Sequence, residues 1–414
     1  MAEIEVPPYF LCPISLEIMK DPVTISTGIT YDRDSIEKWI FSEKNSTCPV
    51  TKQPLSDTEI VTPNITLRRL IQSWCTLHAS HGIQRLPTPK APVTKPQILK
   101  LLEDANSPHL QIKCLQRLRS IASQSQTNKR SMESAGAGEF LASLIVGKTR
   151  QASSPDAAGD LSDLKKACQE ALAVLYTLQL SESSLQTLTI NSKFIDSLTL
   201  IMQFGDLESR AQAIVVLKSA LEVADPSQII NSSLEFFVEL IKIMKDRICP
   251  TITKAALKVL INVGPLGRNR IKLVEAGAVP VLINLLLDSP DRRTCEMLLT
   301  ALDFLCQCPD GRAEFLNHAA GLAVVSKKIL RVSPLASEKA LRILQAISRH
   351  SATPAVLLEM LQIGVVAKLC LVLQLDCGSK TKERAREILR SNARAWKNSH
   401  CVPNTRIFSD PNSN

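Results

Sequence analysis

Apolar positions along this chain follow two different periods. Near the start, Val23-Thr24-Ile25 and Ile29-Thr30-Tyr31 are short β-rich runs on either side of Ser26-Thr27-Gly28. The glycine permits the positive φ of a tight turn, so the pattern predicts a hairpin. Two helices follow. In the first, Asp32 or Asp34 supplies a cap, and Ile36 and Ile40 share a face at i, i+4 and carry the helix to about Phe41. The second begins after the cap Asn64 and sets Leu67, Leu70, Ile71 and Trp74 at i, i+3, i+4, i+7. Together these elements predict one small α+β domain.

Farther along, a phrase recurs in which Asn or Arg precedes an amphipathic run with an internal Gly. One copy runs from Asn128-Lys129-Arg130 through Gly136 to Leu141, and the sharpest runs from Asn269-Arg270-Ile271 through Gly277 to Leu286. Weaker copies give Gly321 and Gly364 the same role, at the ~40–47-residue period of armadillo or HEAT repeats. Degenerate copies near Asn191-Ser192-Lys193-Phe194-Ile195 and Leu234-Glu235-Phe236-Phe237 fill the gap, with Gln151 to Asp160 as one long loop. The expectation is an all-α stack of about six repeats with an extended concave surface.

A proline-rich stretch from Arg85 to Pro96 separates the two parts and reads as a semi-rigid spacer. The predicted division is residues 5–80, a linker at 81–96, repeats at 97–396 and a disordered polar tail at 397–414. With 414 residues and 45% hydrophobic content, the chain has enough for two or three cores. Aromatics make up only 4%, which suits packed helices better than a β-sandwich.

The chemistry-bearing signal lies at the N-terminus. It runs Phe10-Leu11-Cys12-Pro13-Ile14-Ser15-Leu16-Glu17-Ile18-Met19-Lys20-Asp21-Pro22-Val23, then Thr27-Gly28-Ile29-Thr30-Tyr31-Asp32-Arg33, then Cys48-Pro49-Val50-Thr51. The order resembles a RING finger, but a cross-brace zinc module needs four close pairs of Cys or His. The thiols here are the isolated Cys12, Cys48 and Cys75, with His78 and His81 at the far end. No metal and no other cofactor is expected, and Asp21, Asp32, Arg33, Glu37, Lys38 and Lys52 are the pool of charges available to stand in for zinc.

These residues resemble the U-box, and the whole chain, with Thr66 to Cys75 closing that segment, resembles the plant U-box/armadillo ubiquitin ligases. The resemblance implies a mainly α protein, a zinc-free RING-like U-box followed by an armadillo superhelix. It implies ubiquitin transfer without a covalent ubiquitin-enzyme intermediate, in stress and immune signalling. It also assigns residues: Ile14, Trp39 and Pro49 form the groove for a ubiquitin-charged conjugating enzyme (E2), and Lys52 is the donor that bridges this enzyme and ubiquitin, where many relatives have Arg. The armadillo groove would hold the protein substrate, and homo-oligomerisation stays open.

Charge and composition narrow the partners. Lys plus Arg number 49 against 40 Asp plus Glu, net +9, with the excess falling after residue 80 because the first 80 residues are acidic on balance. Such a solenoid suits an acidic protein partner or an anionic surface, with a scattered solvated face as the equal alternative. A nucleic-acid binder is disfavoured because the basic residues are dispersed and stacking aromatics are scarce. A non-catalytic armadillo adaptor is the main alternative, but an import-receptor groove needs tryptophans along the array, and this chain has only Trp39, Trp74 and Trp396. A thioester-forming ligase would need a base beside Cys48, and the local histidines stand far off in sequence. No apolar run reaches the ~18–20 residues of a membrane span, and the start lacks the order of a signal peptide. Twelve cysteines without a short secreted framework agree with a reducing compartment, so a cytoplasmic location is expected, with the nucleus also open.

Overall fold

The computed structural model describes residues 5–43, 45–55, 61–79, 93–152, 161–230, 232–289 and 291–396. Most of the expected linker, the expected loop from Ser153 and the expected tail lie outside them. The chain divides into two compact units between Phe140 and Leu141, with Thr177–Gln179 belonging to the first.

In the first unit, β1 (Pro22–Thr24) pairs antiparallel with β2 (Thr30–Asp32), Val23 opposite Tyr31, and Gly28 at φ +79° closes the turn. A third strand, β3 (Thr62–Pro63), pairs with the other edge of β1 and gives the order β2-β1-β3. Two residues give too little periodicity to be read from sequence. Helix α1 (Arg33–Glu37) passes directly into a π-helical turn, Lys38–Ser42. Helix α2 (Ile65–Leu77) starts where expected, the Asn64 side chain accepting a 3.0 Å hydrogen bond from the Leu67 N–H. Tyr31, Ile36, Val23, Met19 and Ile71 form the core, so Ile36 and Ile40 are buried as their spacing requires. Leu70 is different: it is 53% exposed, and Cys75 takes the buried position one turn beyond Ile71.

Asp32 does occupy the N-cap position of α1, but its carboxylate does not cap the helix. It turns back and accepts from the Lys20 and Asp21 N–H groups at 2.7 and 3.0 Å. Two backbone donors in a neighbouring loop win over the single helix-end donor a cap would satisfy.

Helices then continue to the end of the described chain. A starting pair, α3 (Lys95–Asp104) and α4 (Pro108–Ala122), precedes six triplets in sequence. They are α5 (Gln126–Ser134), α6 (Ala137–Ala152), α7 (Leu161–Leu178); α8 (Glu182–Thr189), α9 (Ser192–Phe204), α10 (Leu207–Val223); and α11 (Pro226–Ile229), α12 (Leu234–Asp246), α13 (Pro250–Val263). The rest are α14 (Asn269–Glu275), α15 (Ala278–Asp288), α16 (Arg292–Leu305); α17 (Pro309–Asn317), α18 (Gly321–Lys328), α19 (Pro334–His350); and α20 (Pro354–Gln362), α21 (Val365–Gln374), α22 (Ser379–Ser391), closed by α23 (Ala393–Trp396). In the second unit the third helices α10, α13, α16, α19 and α22 pack each on the next, and the second helices α9, α12, α15 and α18 do the same. No single helix among the described residues is long and apolar enough to cross a membrane.

The recurring phrase now has a physical meaning. Asn128 donates to the Ile121 carbonyl at 3.1 Å, Asn269 to Val263 at 3.1 Å and Arg312 to Cys306 at 3.1 Å. Each ties the first helix of a triplet to the open carbonyls at the end of the helix before it. Gly136, Gly277 and Gly364 sit at φ +76° to +78° between first and second helices, where a side chain would be strained. Gly321 does a different job. Its φ is not positive, and an added Cβ would lie 2.5 Å from the Phe315 carbonyl oxygen, so it is small because the backbone approaches closely.

Candidate functional site

Two loops of the first domain are built alike. In the first, Leu11 bridges to Ile18, the Cys12 N–H donates to the Glu17 carbonyl at 2.8 Å, and the Leu16 N–H donates to the Cys12 carbonyl at 2.8 Å. In the second, Thr47 bridges to Pro54, the Cys48 N–H donates to Gln53 at 2.8 Å, and the Lys52 N–H donates to Cys48 at 3.0 Å. Leu16 and Lys52 hold the same left-handed conformation, φ +59° and +57°. The match is visible in sequence as Cys12-Pro13-Ile14-Ser15 against Cys48-Pro49-Val50-Thr51, a repetition the motif reading passed over.

Both cysteine sulfurs are buried acceptors that hang the loops on the end of β2. Cys12 accepts from the Asp32 N–H at 3.3 Å. Cys48 accepts from the Thr51 N–H at 3.4 Å and the Thr27 hydroxyl at 3.5 Å, and its sulfur lies 3.1 Å from the Tyr31 hydroxyl. Burial pushes the Tyr31 phenol far above its usual range, so Tyr31 is the donor. Burial also raises the Cys48 thiol, but hydrogen bonds from Thr27, Thr51 and Tyr31 outweigh it and bring Cys48 down to about 6. With no exposed surface, this sulfur serves the loop and is closed to a nucleophile's substrate.

Ion pairs brace the domain from the other side. Asp21 accepts from Arg33 Nε at 2.6 Å and from Arg68 Nη1 at 3.3 Å, linking α1, α2 and the first loop, and Arg33 also reaches Glu37 at 3.4 Å. Of the expected pool, Asp21, Arg33 and Glu37 pair. Lys38 and Lys52 are exposed and form no ion pair among the described residues. Arg68 was not in the pool, since nothing in the sequence brings it to Asp21. No three Cys, His, Asp or Glu side chains converge into a metal site among the described residues.

The four sequence-predicted site residues fall on this surface. Trp39 is half-buried, and its Nε1 donates to the Thr47 carbonyl at 2.8 Å, which ties the π-helical turn to the loop carrying Pro49. Ile14 and Trp39 both rest on the same core, so the first loop joins through packing rather than a direct bond. Pro49 is half-buried and Lys52 projects from the end of its loop. Beside them stand two apolar side chains that sequence reasoning missed, Leu16 at 74% exposure and Val50 at 52%. The result is an exposed apolar surface with Lys52 on the loop beside it.

A second feature lies among the third helices. A cleft of about 560 Å³ between α10, α13 and α16 is lined by Lys218, Lys258, Arg293, Glu222, Glu296 and Met297 among others. Some cations on these helices pair with neighbouring repeats: Lys254 with Asp291 at 3.0 Å, Lys339 and Arg342 with Asp303 at 3.3 and 3.0 Å, and Arg384 with Glu338 at 3.0 Å. Lys258 and Arg293 form no ion pair among the described residues, although the Glu222 and Glu296 carboxylates line the same cleft.

Residues 6–80 match the family described as U-box domain, and residues 97–412 match the one described as plant U-box protein ARM repeat region. The chain belongs to the plant U-box proteins with armadillo repeats. Among its relatives in Arabidopsis thaliana, the E3 ubiquitin-protein ligase PUB23 is 55% identical over 416 residues, covering 99% of this chain and 98% of the relative. The E3 ubiquitin-protein ligase PUB22 is 53% identical over 432 residues, covering 99% of both. The two matched loops and the braced core are therefore those of a U-box, and the triplets are armadillo repeats.

Proposed function

We infer that this chain is an E3 ubiquitin-protein ligase of the non-covalent kind, whose U-box seats a ubiquitin-charged E2 and whose armadillo groove holds the protein substrate. The observation that carries this is the matched pair of loops, which bear Ile14 and Val50 at equivalent positions, with Trp39 tied to the second loop at Thr47. An exposed apolar surface suits a protein partner rather than a small substrate. Rate acceleration then comes from orientation: the thioester-linked ubiquitin is held so that a substrate lysine amine attacks its carbonyl carbon, the new amide forms and the E2 thiolate departs. Lys52, exposed on the second loop, is the donor to ubiquitin or to the E2 in this reading.

The repeat cleft at Lys258 and Arg293 favours an acidic segment of the substrate. The family resemblance supports a role in plant stress and defence signalling, and the buried free thiols suit the cytoplasm or nucleus. A fluorescent fusion found inside a secretory compartment would count against that location.

The test is a reaction of the purified chain with activating enzyme, ATP, ubiquitin and a panel of E2 enzymes, with no added substrate. Self-ubiquitination with at least one E2 is expected. Failure to discharge every charged E2 in the panel would overturn the reading in favour of a non-catalytic armadillo scaffold.

A further inference from the structure

We propose that α5 buttresses the E2 groove from behind, with Thr127 and Arg130 acting as positioning residues for Trp39. The inference rests on the ligase reading above and adds to it a part of the armadillo region that the U-box needs. Its ground is the weakness of one element. The turn Lys38–Ser42 that carries Trp39 is π-helical, a conformation that rarely persists without outside support and that collects at functional sites.

Support arrives on both sides of Trp39. Just before the turn, Glu37 is only 1% exposed, and its Oε1 accepts from the Thr127 hydroxyl at 2.5 Å. Arg33 reaches the same oxygen at 3.4 Å, but it is committed more closely to Asp21, at 2.6 Å. The Thr127 hydroxyl is therefore the short contact that keeps this buried carboxylate satisfied. Within the turn, the Arg130 guanidinium lies 3.3 Å from the centre of the Phe41 ring, a cation stacked on its face.

The geometry decides which side is being held. Glu37 and Phe41 stand two residues before and two after Trp39, roughly half a helical turn away, so they face away from it. Trp39 points to Thr47 and the second loop, while Glu37 and Phe41 point to α5. Thr127 and Arg130, three apart, lie on one face of α5. The contact therefore leaves the E2 groove open and fixes its back wall.

The experiment compares full chains: wild type, the pair Thr127→Val with Arg130→Ala, and the conservative pair Thr127→Ser with Arg130→Lys. Discharge of charged E2 to free lysine is followed across E2 concentration, with amide hydrogen exchange on each chain. For the first pair, KM for the charged E2 should rise about tenfold with kcat within twofold, and Lys38–Asn45 should lose protection while Val23–Ile25 and Ile71 keep theirs. The conservative pair should restore KM to within threefold. Unchanged KM and exchange in the first pair would overturn the proposal. So would a fall in kcat at unchanged KM, which would place the effect on ubiquitin, or a loss of protection throughout the U-box, which would make the contact a general structural one. If no chain, wild type included, discharges any E2, the ligase reading fails, and the exchange of Lys38–Asn45 alone decides whether α5 holds the turn.

Discussion

The Tyr31 hydroxyl and the Cys48 sulfur lie 3.1 Å apart with neither side chain exposed, so the second loop of the U-box is anchored on a sulfur that draws hydrogen bonds. With the folded thiol at about 6 and the ordinary value at 9.0, the unfolded chain holds a proton between those limits that the folded chain has lost. Folding stability therefore rises with pH across that window and is lost as pH falls through about 6. Denaturant unfolding of the U-box should show this rise, and in Cys48→Ser, where the side chain stays neutral, the slope between pH 6 and 9 should flatten. An unaltered slope in the serine variant would mean that the sulfur is a neutral thiol in the folded state.

The loop tips separate binding from activation. Ile14→Ala should remove about 1–3 kcal/mol of contact with the E2, roughly a 5- to 150-fold loss of affinity, with activity falling in step. Part of the Ile14 side chain also supports the core, so Val50→Ala is the cleaner variant: it should weaken E2 binding with its unfolding midpoint unchanged. Titration calorimetry and thermal unfolding check both.

Lys52→Ala should leave affinity for the uncharged E2 nearly intact and slow single-turnover discharge of the charged form. Lys52→Arg should equal or exceed wild type, because a guanidinium bridges two acceptors at once. Equal losses in the binding and discharge assays for Lys52→Ala would remove the bridging role.

Asp21→Asn removes the charge that Arg33 and Arg68 share and leaves Arg33, whose side chain is 10% exposed, without its nearest partner. Breaking a buried pair from one side costs about 3–5 kcal/mol. That is a large share of the ~5–15 kcal/mol stability of a whole domain, so the variant's U-box should melt well below the wild type's, and E2 discharge should fail first as temperature rises. Calorimetry on the full chain resolves the two transitions.

Reversing two of the cleft charges, Lys258→Glu with Arg293→Glu, should cut substrate capture about tenfold and leave discharge to free lysine untouched. Pull-downs compared with a discharge assay on the same preparations provide the check. Capture at the wild-type level would take the cleft out of substrate binding.

The fold class was legible because its signals are local. Gly28 marked the hairpin, Asn64 marked the start of α2, and Gly136, Gly277 and Gly364 marked the joints between first and second helices, each through a backbone demand met within a few residues. The same local logic misread two side chains. Asp32 stands where a cap should, but donors from Lys20 and Asp21 capture its carboxylate. Gly321 keeps the period of the other glycines yet answers to the Phe315 backbone. Of the site, Ile14, Trp39, Pro49 and Lys52 could be named from motif. Val50 and Leu16 could have been found by setting Cys12-Pro13-Ile14-Ser15 beside Cys48-Pro49-Val50-Thr51.

The sequence by itself determined the helical array, the small α+β domain ahead of it and the motif that identifies that domain, because spacing, caps and turn residues act over one or two turns of chain. Only the tertiary structure decided which polar and charged groups meet. Asp21 with Arg68, Glu37 with Thr127 and Asp303 with Arg342 are each far apart in sequence, and their pairing depends on which faces are brought together when apolar surface leaves water. The strength of each pair depends in turn on how much water that burial leaves around it.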